Sequence, residues 1–298
     1  MQSERISAVA HKLIAPNKVF TLQCSDIHYD SPYCDRWSLK KHFDKVKEND
    51  GQICIYGDLL DVMGCYKDPR TKASDIRSEY IQKGRSYLDL VVDDVYEFLK
   101  PYKENIAIIS YGNHEVSILK HRDTDPLRRL VHKLNQLPGK DVMLGAYEGW
   151  LKIILRGRTS TMFNISYHHG KGGNAKRSKG ILYSQIDAFQ YPDANLIVSG
   201  HDHNKIHDPS NVRMRFDRLG KTYNDTVHWI KSGSYALRPE GFGYVVQKGM
   251  LPKRMGGWFA EIETMRDVTN GNDYVYPEVR IQEAVPGRRY LSEMQKLS

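Results

Sequence analysis

The chain has 298 residues, with 44 Lys and Arg against 36 Asp and Glu and a formal net charge of +8. Its 40% hydrophobic and 27% charged residues are the composition of a globular protein able to bury a sizeable core, and the positive balance suits an anionic ligand: a phosphate ester, a nucleotide or a nucleic acid. No run is apolar over the roughly 18 residues a membrane span needs, residues 1–18 lack a signal-peptide pattern, and Cys24, Cys34, Cys54 and Cys65 lack the C-x-x-C spacing of a zinc ribbon. The expectation is a cytoplasmic protein without a membrane partner.

In chain order, the apolar run at 19–24 predicts a first strand, and Trp37, Phe43 and Val46 predict a surface helix over 36–48. A second strand is expected at 52–56. The stretch 74–103 carries Ile76, Tyr80, Tyr87, Val91, Val95 and Phe98 mostly at helical spacing, with Pro101 ending or kinking it. A third strand is expected at 105–111. Asp125 reads as an N-cap with Pro126 at the first helical position, and Leu127, Leu130, Val131 and Leu134 form the buried stripe of that helix. Segments 150–156 and 161–168 flank Gly157 as a hairpin. A helix over 180–191 and strands at 195–199, 212–216, 226–231 and 257–262 complete the reading. Strand–helix alternation and then hairpins predict a layered α/β fold with a mixed sheet or two sheets. The expected organisation is a single domain over 1–298, with its core at about 19–263 and a loosely packed tail at about 278–298.

The residues at the carboxyl ends of the strands carry the chemistry. The first strand ends in Asp26-Ile27-His28, the second in Gly57-Asp58-Leu59-Leu60-Asp61, and the third in Gly112-Asn113-His114-Glu115. The later strands end in His168-His169-Gly170 and Gly200-His201-Asp202-His203. Metal-ligand side chains thus recur just where open α/β sheets form their sites. Two divalent ions about 3.5–4 Å apart can hold both the attacking and the departing oxygen of a phosphoryl group. A mixed nitrogen and oxygen donor set suits Mn, Fe, Zn or Ni better than Mg or Ca. A lone D-x-H or G-D-x-x-D carries little, since Gly-Asp is a common turn. The ordered set of five carries the reading.

Taken in order, DIH, GDLLD, GNHE, HHG and GHDH resemble the calcineurin-like metallophosphoesterase family, over roughly residues 20–203. The resemblance implies an α-β-β-α sandwich with a dinuclear metal centre. One ion, manganese foremost with iron, zinc or nickel as alternatives, would be bound by Asp26, His28 and His203. The other would be bound by Asn113, His201 and His169, with the adjacent His168 as the alternative; Asp58 would bridge them. A metal-bridging hydroxide would attack a phosphomonoester or phosphodiester, and His114 would not ligate but would protonate the leaving oxygen. Asp61 or Glu115 would orient neighbouring groups. The runs YHHGKGG and SGHDHN are most similar to phage and prophage members, which would place the protein in a host cytoplasm. The double-strand-break repair nucleases of the family are an alternative likeness, as is a scaffold that has lost its metals, although here no ligand position is missing.

Other features are weighed against simpler readings. The basic loop 171–179 comes directly after an expected ligand, so Lys171, Lys176 and Arg177 are candidates to grip a substrate phosphate; the simpler reading is a solvated loop. Arg213, Arg215 and Arg218 fit a strand and turn face. Tyr235, Phe242 and Tyr244 could stack on a base but fit core packing. His11, His42, His121, His132, His207 and His228 fit surface or helix positions and are given no role. Substrate choice is expected to lie in loops 64–75 and 171–179.

Overall fold

The computed structural model describes residues 2–5, 10–62, 76–81, 84–170, 180–216, 220–236, 253–269 and 272–286. The chain runs β1 (Gln2–Arg5), β2 (Ala10–Pro16), β3 (Lys18–Cys24), α1 (Arg36–Glu48), β4 (Gln52–Tyr56), α2 (Tyr87–Leu99), β5 (Ile106–Ser110), α3 (Asn113–Arg122) and α4 (Pro126–Asn135). It continues through β6 (Met143–Gly145), β7 (Glu148–Arg156), β8 (Thr161–His168), α5 (Tyr183–Gln190), β9 (Leu196–Ser199), β10 (Lys205–Phe216), β11 (Thr222–Ser232), β12 (Trp258–Thr269) and β13 (Asn272–Glu283). Two sheets form, in the orders β13-β12-β3-β4-β5-β6 and β1-β2-β7-β8-β9-β11-β10. In the first, β3, β4, β5 and β6 are parallel; in the second, β8, β9 and β11 are parallel.

Strand alternation explains the layering. In β4, Ile53 and Ile55 join one apolar cluster, while Cys54 and Tyr56 join another. Successive side chains of a strand point to opposite faces, so β4 is buried on both, as parallel strands are. The first cluster takes Leu39, Phe43 and Val46 from α1, Val91, Val95 and Leu99 from α2, and Leu127, Leu130 and Leu134 from α4. The second lies between the sheets and includes Leu13, Ile153, Phe163, Ile165 and Val198. A small third cluster around Trp229 takes in Ala188 of α5. The expected α-β-β-α layering is therefore observed. Truncating a side chain as completely buried as Phe43 to Ala costs about 3–5 kcal/mol.

The capping signal for α4 holds, and α1 forms over the expected residues with Phe43 and Val46 buried and Trp37 exposed. The Asp35 carboxylate accepts from Ser38 N–H at 3.0 Å, and that of Asp125 from Arg128 N–H at 2.9 Å. The expected hairpin is β7 paired antiparallel with β8. Three expectations change. The helix expected over 74–103 is, among the described residues, a 3-10 turn at Ser78–Tyr80, then α2, then a 3-10 turn at Lys100–Asn105 containing Pro101. The core begins at Ala10, not residue 19, because β2 pairs in parallel with β7 and buries Leu13 and Ala15. The segment from 278 is not a loose tail as far as 286: β13 pairs with β12, and Val279 and Ala284 are buried. Its outer face is charged because Arg280 reaches Glu261 and Glu263 of β12, and it carries Pro277 as an edge strand can; both features look like a tail in sequence. No helix among the described residues is long and apolar enough to cross a membrane.

Candidate metal centre

The parallel strands β3, β4 and β5 of one sheet and β8 and β9 of the other end together, and the loops after them are stitched to one another. Asp26 N–H donates to the Gly57 carbonyl, His28 N–H to that of Asp58, and Gly200 N–H to that of His169. These bonds carry the ladders one step past the strands and fix the side chains beyond them. The glycines are required by closeness: Gly57 has φ +88°, and a Cβ there would strike His169, while a Cβ at Gly112 would strike the Asp58 carboxylate.

The described residues contain three groups of ligand atoms, each within 4.8 Å of one another: Asp26, His28 and His203; His28, Asp58 and His114; and Asp58, His169 and His201. Asn113 joins the last, its Oδ1 lying 3.0 Å from His169 Nε2 and 2.8 Å from His201 Nδ1. All seven expected ligands and His114 thus come together. His169 faces the cluster, whereas His168 turns away, its Nε2 3.3 Å from Asp187 Oδ2. Lys171, Lys176, Arg177, Phe242 and Tyr244 lie outside the described residues.

Backbone strain is concentrated in the same set. Asp26, His28, Asp58, His201 and His203 all have φ between 48° and 73°. Left-handed backbone costs a non-glycine residue about 1–2 kcal/mol, and such outliers persist where surrounding structure over-determines them at functional sites.

The imidazoles are aimed by their outer nitrogens. His28 Nδ1 donates to Asp61 Oδ1 at 2.9 Å, His169 Nδ1 to the Tyr56 carbonyl at 3.0 Å, and His114 Nδ1 to the Asp61 carbonyl at 2.7 Å. Each bond leaves Nε2 directed inward with its lone pair, the arrangement by which metal-binding histidines are held. His169 Nε2 then faces Asp58 Oδ2 at 3.0 Å as well as Asn113 Oδ1. His28 Nε2 faces His203 Nε2 at 3.3 Å. Imidazole nitrogens and side-chain oxygens converging at these distances form the mixed donor set that suits divalent transition-metal ions, so the residues present fit such ions.

Charge tells the same story. Burial opposes the charged form of His169, but the Asp58 and Asp26 carboxylates outweigh it and lift its pKa to about 9. Burial likewise opposes His28, which its bond to Asp61 and the three carboxylates raise to about 10. Burial would raise Asp26, yet His169 and His203 hold it at about 2.

Two further carboxylates brace the loops. Glu115, fully buried, accepts from Asp58 N–H (3.1 Å) and Gly112 N–H (2.9 Å) through Oε2 and from Leu60 N–H (3.0 Å) through Oε1. Burial and the Asp58 charge push it up to about 7. Asp30 accepts from Asp61 N–H, Val62 N–H and the Tyr87 hydroxyl. Glu115 is a candidate from sequence. Asp30 is not, and no spacing singles it out. Tyr235 is fully buried, as core packing predicts, and Arg213 and Arg215 pair with Asp225. His42 lies on a helix, α1, as expected, with its ring buried, whereas His11 is buried in strand β2 and not at a surface or helix position.

The chain belongs to the calcineurin-like phosphoesterase family, whose model matches residues 21–205. That span contains every member of the donor cluster. No curated protein matches. Among solved structures, the chain is similar to a conserved protein of Streptococcus pneumoniae described as a predicted phosphoesterase (14% identity, 89% of this chain and 100% of that one, TM-score 0.31). It is also similar to Vps29 of Entamoeba histolytica complexed with zinc (9%, 88% and 99%, 0.32), and to a metallophosphoesterase of Sphaerobacter thermophilus (13%, 93% and 92%, 0.34). Likenesses this distant say nothing of substrate.

Proposed function

We propose that the protein is a dinuclear metal-dependent phosphoester hydrolase. The observation that carries this is that Asp58 belongs both to a ligand group with His28 and to one with His169 and His201, as a carboxylate shared between two ions must. Asp26, His28 and His203 would hold one ion, and Asn113, His169 and His201 the other. Mixed nitrogen and oxygen donors suit manganese, iron, zinc or nickel, and the family resemblance puts manganese first. When bound, such a pair supplies Lewis acidity towards the phosphoryl oxygens and lowers the pKa of an attacking water.

The chain's own residues do the rest. Asp61 holds His28 through its carboxylate and His114 through its carbonyl, so one residue sets the angle of both rings. His114 Nε2 points into the cluster, 4.0 Å from Asp58 Oδ2. When protonated, it can place its proton on the departing ester oxygen, a step that general acids accelerate by roughly 10²–10⁴-fold. Glu115 fixes the backbone of Asp58 against Gly112, keeping the shared carboxylate in place.

The test is hydrolysis of bis-p-nitrophenyl phosphate and p-nitrophenyl phosphate with and without added Mn²⁺, for wild type and Asp58→Ala. Metal-dependent cleavage abolished in the variant supports the reading, and the preferred ester separates diesterase from monoesterase. Metal-independent cleavage, or cleavage that survives in Asp58→Ala, refutes it.

A further inference from the structure

The mechanism leaves His168 without a task, and the structure gives it a different setting. Sharing Gly200, His201 and Asp202 with the metal centre, a cavity of about 150 Å³ opens between α5 and the carboxyl ends of β8, β9 and β11. Three aromatic side chains line it: Trp229, Tyr183 and Tyr191. His168 stacks on Tyr191 with ring centroids 6.3 Å apart. Asp187 is buried in its wall; Oδ2 accepts from Trp229 Nε1 at 2.8 Å and lies 3.3 Å from His168 Nε2. Among the described residues both of these contacts fall on Oδ2, which leaves Oδ1 to accept from a ligand. Lys231, paired with Asp202, and the Gln190 amide add donors to the same lining.

The volume and the chemistry narrow what fits. A cavity of about 150 Å³ accepts one aromatic ring, and falls short of the roughly 300–1,000 Å³ of a pocket for a drug-sized ligand. Aromatic walls favour a planar ring. A buried carboxylate beside amine and amide donors favours a ring whose edge carries an N–H flanked by carbonyls. Stacking joined to edge hydrogen bonds is how proteins hold unpaired bases. A purely hydrocarbon ring would make no use of Asp187 Oδ1. We propose that this cavity seats one pyrimidine-sized nucleobase of a substrate whose phosphate lies on the metal centre. The substrate class is then a nucleotide or oligonucleotide ester, a conclusion that rests on the phosphoesterase reading above.

The experiment compares kcat/KM for thymidine 5′-(p-nitrophenyl phosphate) and methyl p-nitrophenyl phosphate with Mn²⁺, in wild type and in Ile186→Trp. Both esters release the same phenol, and the ratio cancels differences in active fraction. Ile186 is half-exposed at the cavity lining, so a larger ring there fills space without entering the core. Wild type is expected to prefer the thymidine ester by roughly 5- to 150-fold, the weight of one stacked base, and Ile186→Trp to bring the ratio near one. A wild-type ratio near one, or a preference undiminished in Ile186→Trp, overturns the proposal. If wild type cleaves neither diester, p-nitrophenyl phosphate decides what has failed: its Mn²⁺-dependent cleavage leaves a monoesterase, and no cleavage refutes the phosphoesterase reading itself. The cavity is then judged by titrating the protein with thymidine: saturable binding lost in Ile186→Trp supports it, and no binding overturns it.

Discussion

Glu115→Gln isolates the strut beneath the metal centre. The substitution keeps the side chain's shape, so it opens no cavity, but it turns one carboxylate oxygen into an NH2 group. All three partners of Glu115 are backbone N–H donors, and an NH2 group cannot accept from them. If the amide nitrogen takes the place of Oε1, Leu60 N–H loses its acceptor; if it takes the place of Oε2, both Asp58 and Gly112 lose theirs. At least one buried donor is stranded, at about 1–3 kcal/mol each. For a chain of this length that corresponds to roughly 2–6 °C in Tm. The assay is thermal unfolding at pH 6, below the raised Glu115 pKa, where wild type and variant are both largely uncharged at this position and the comparison reads the stranded donor alone, in excess chelator so that metal loss cannot contribute. Because Asp58 N–H is one of the partners, Mn²⁺ affinity should fall as well. A metal-free melting temperature unchanged from wild type would refute the assignment of Glu115 as the brace between the Asp58 and Asn113 loops.

Three other outcomes are expected. His114→Ala should retain wild-type metal content while kcat falls by roughly 10²–10⁴-fold; elemental analysis beside steady-state kinetics checks this, and parallel loss of metal and activity would make His114 a ligand. Lys231→Met should destabilise the protein by about 1.5–3 kcal/mol, because it removes the cation paired with the half-buried Asp202 between two ligand histidines; urea titration should show that adding Asp202→Asn recovers part of the loss. His42, buried against the Tyr235 hydroxyl and the Val285 carbonyl, is depressed by burial to about 4 in the folded state. The unfolded chain binds that proton first as pH falls from about 6.5 to 4, so stability drops across this window by up to about 3 kcal/mol. Urea unfolding at pH 7 and pH 5 should show a smaller drop in His42→Gln than in wild type.

The chemistry is more legible in the sequence than some of the architecture around it. The ligand motifs are short and local, and each begins where an apolar run stops, so their order along the chain maps onto parallel strands ending at one place. Whether His168 or His169 turns inward depends on the phase of β8 against β7 and on the Tyr56 carbonyl, which lies 113 residues away and leaves no trace in local spacing. α3 escapes a local reading because its first turn is Asn113, His114 and Glu115, residues chosen for the site, and only Glu115 and Ile118 of the helix are buried. β13 is obscured by the cross-strand charges that cover its outer face, and Asp30 by having only backbone and tyrosine partners brought to it by tertiary folding. In each case long-range packing decides what a local pattern cannot.

The central claim is that this donor cluster holds two ions with Asp58 between them. Metal content per chain, measured by elemental analysis after loading with Mn²⁺ and removal of free metal, tests it most directly. Wild type should carry two ions, Asp58→Ala at most one, and His168→Ala two, since His168 faces away from the cluster. A wild-type chain that binds no metal, or an Asp58→Ala chain that still binds two, would contradict the account.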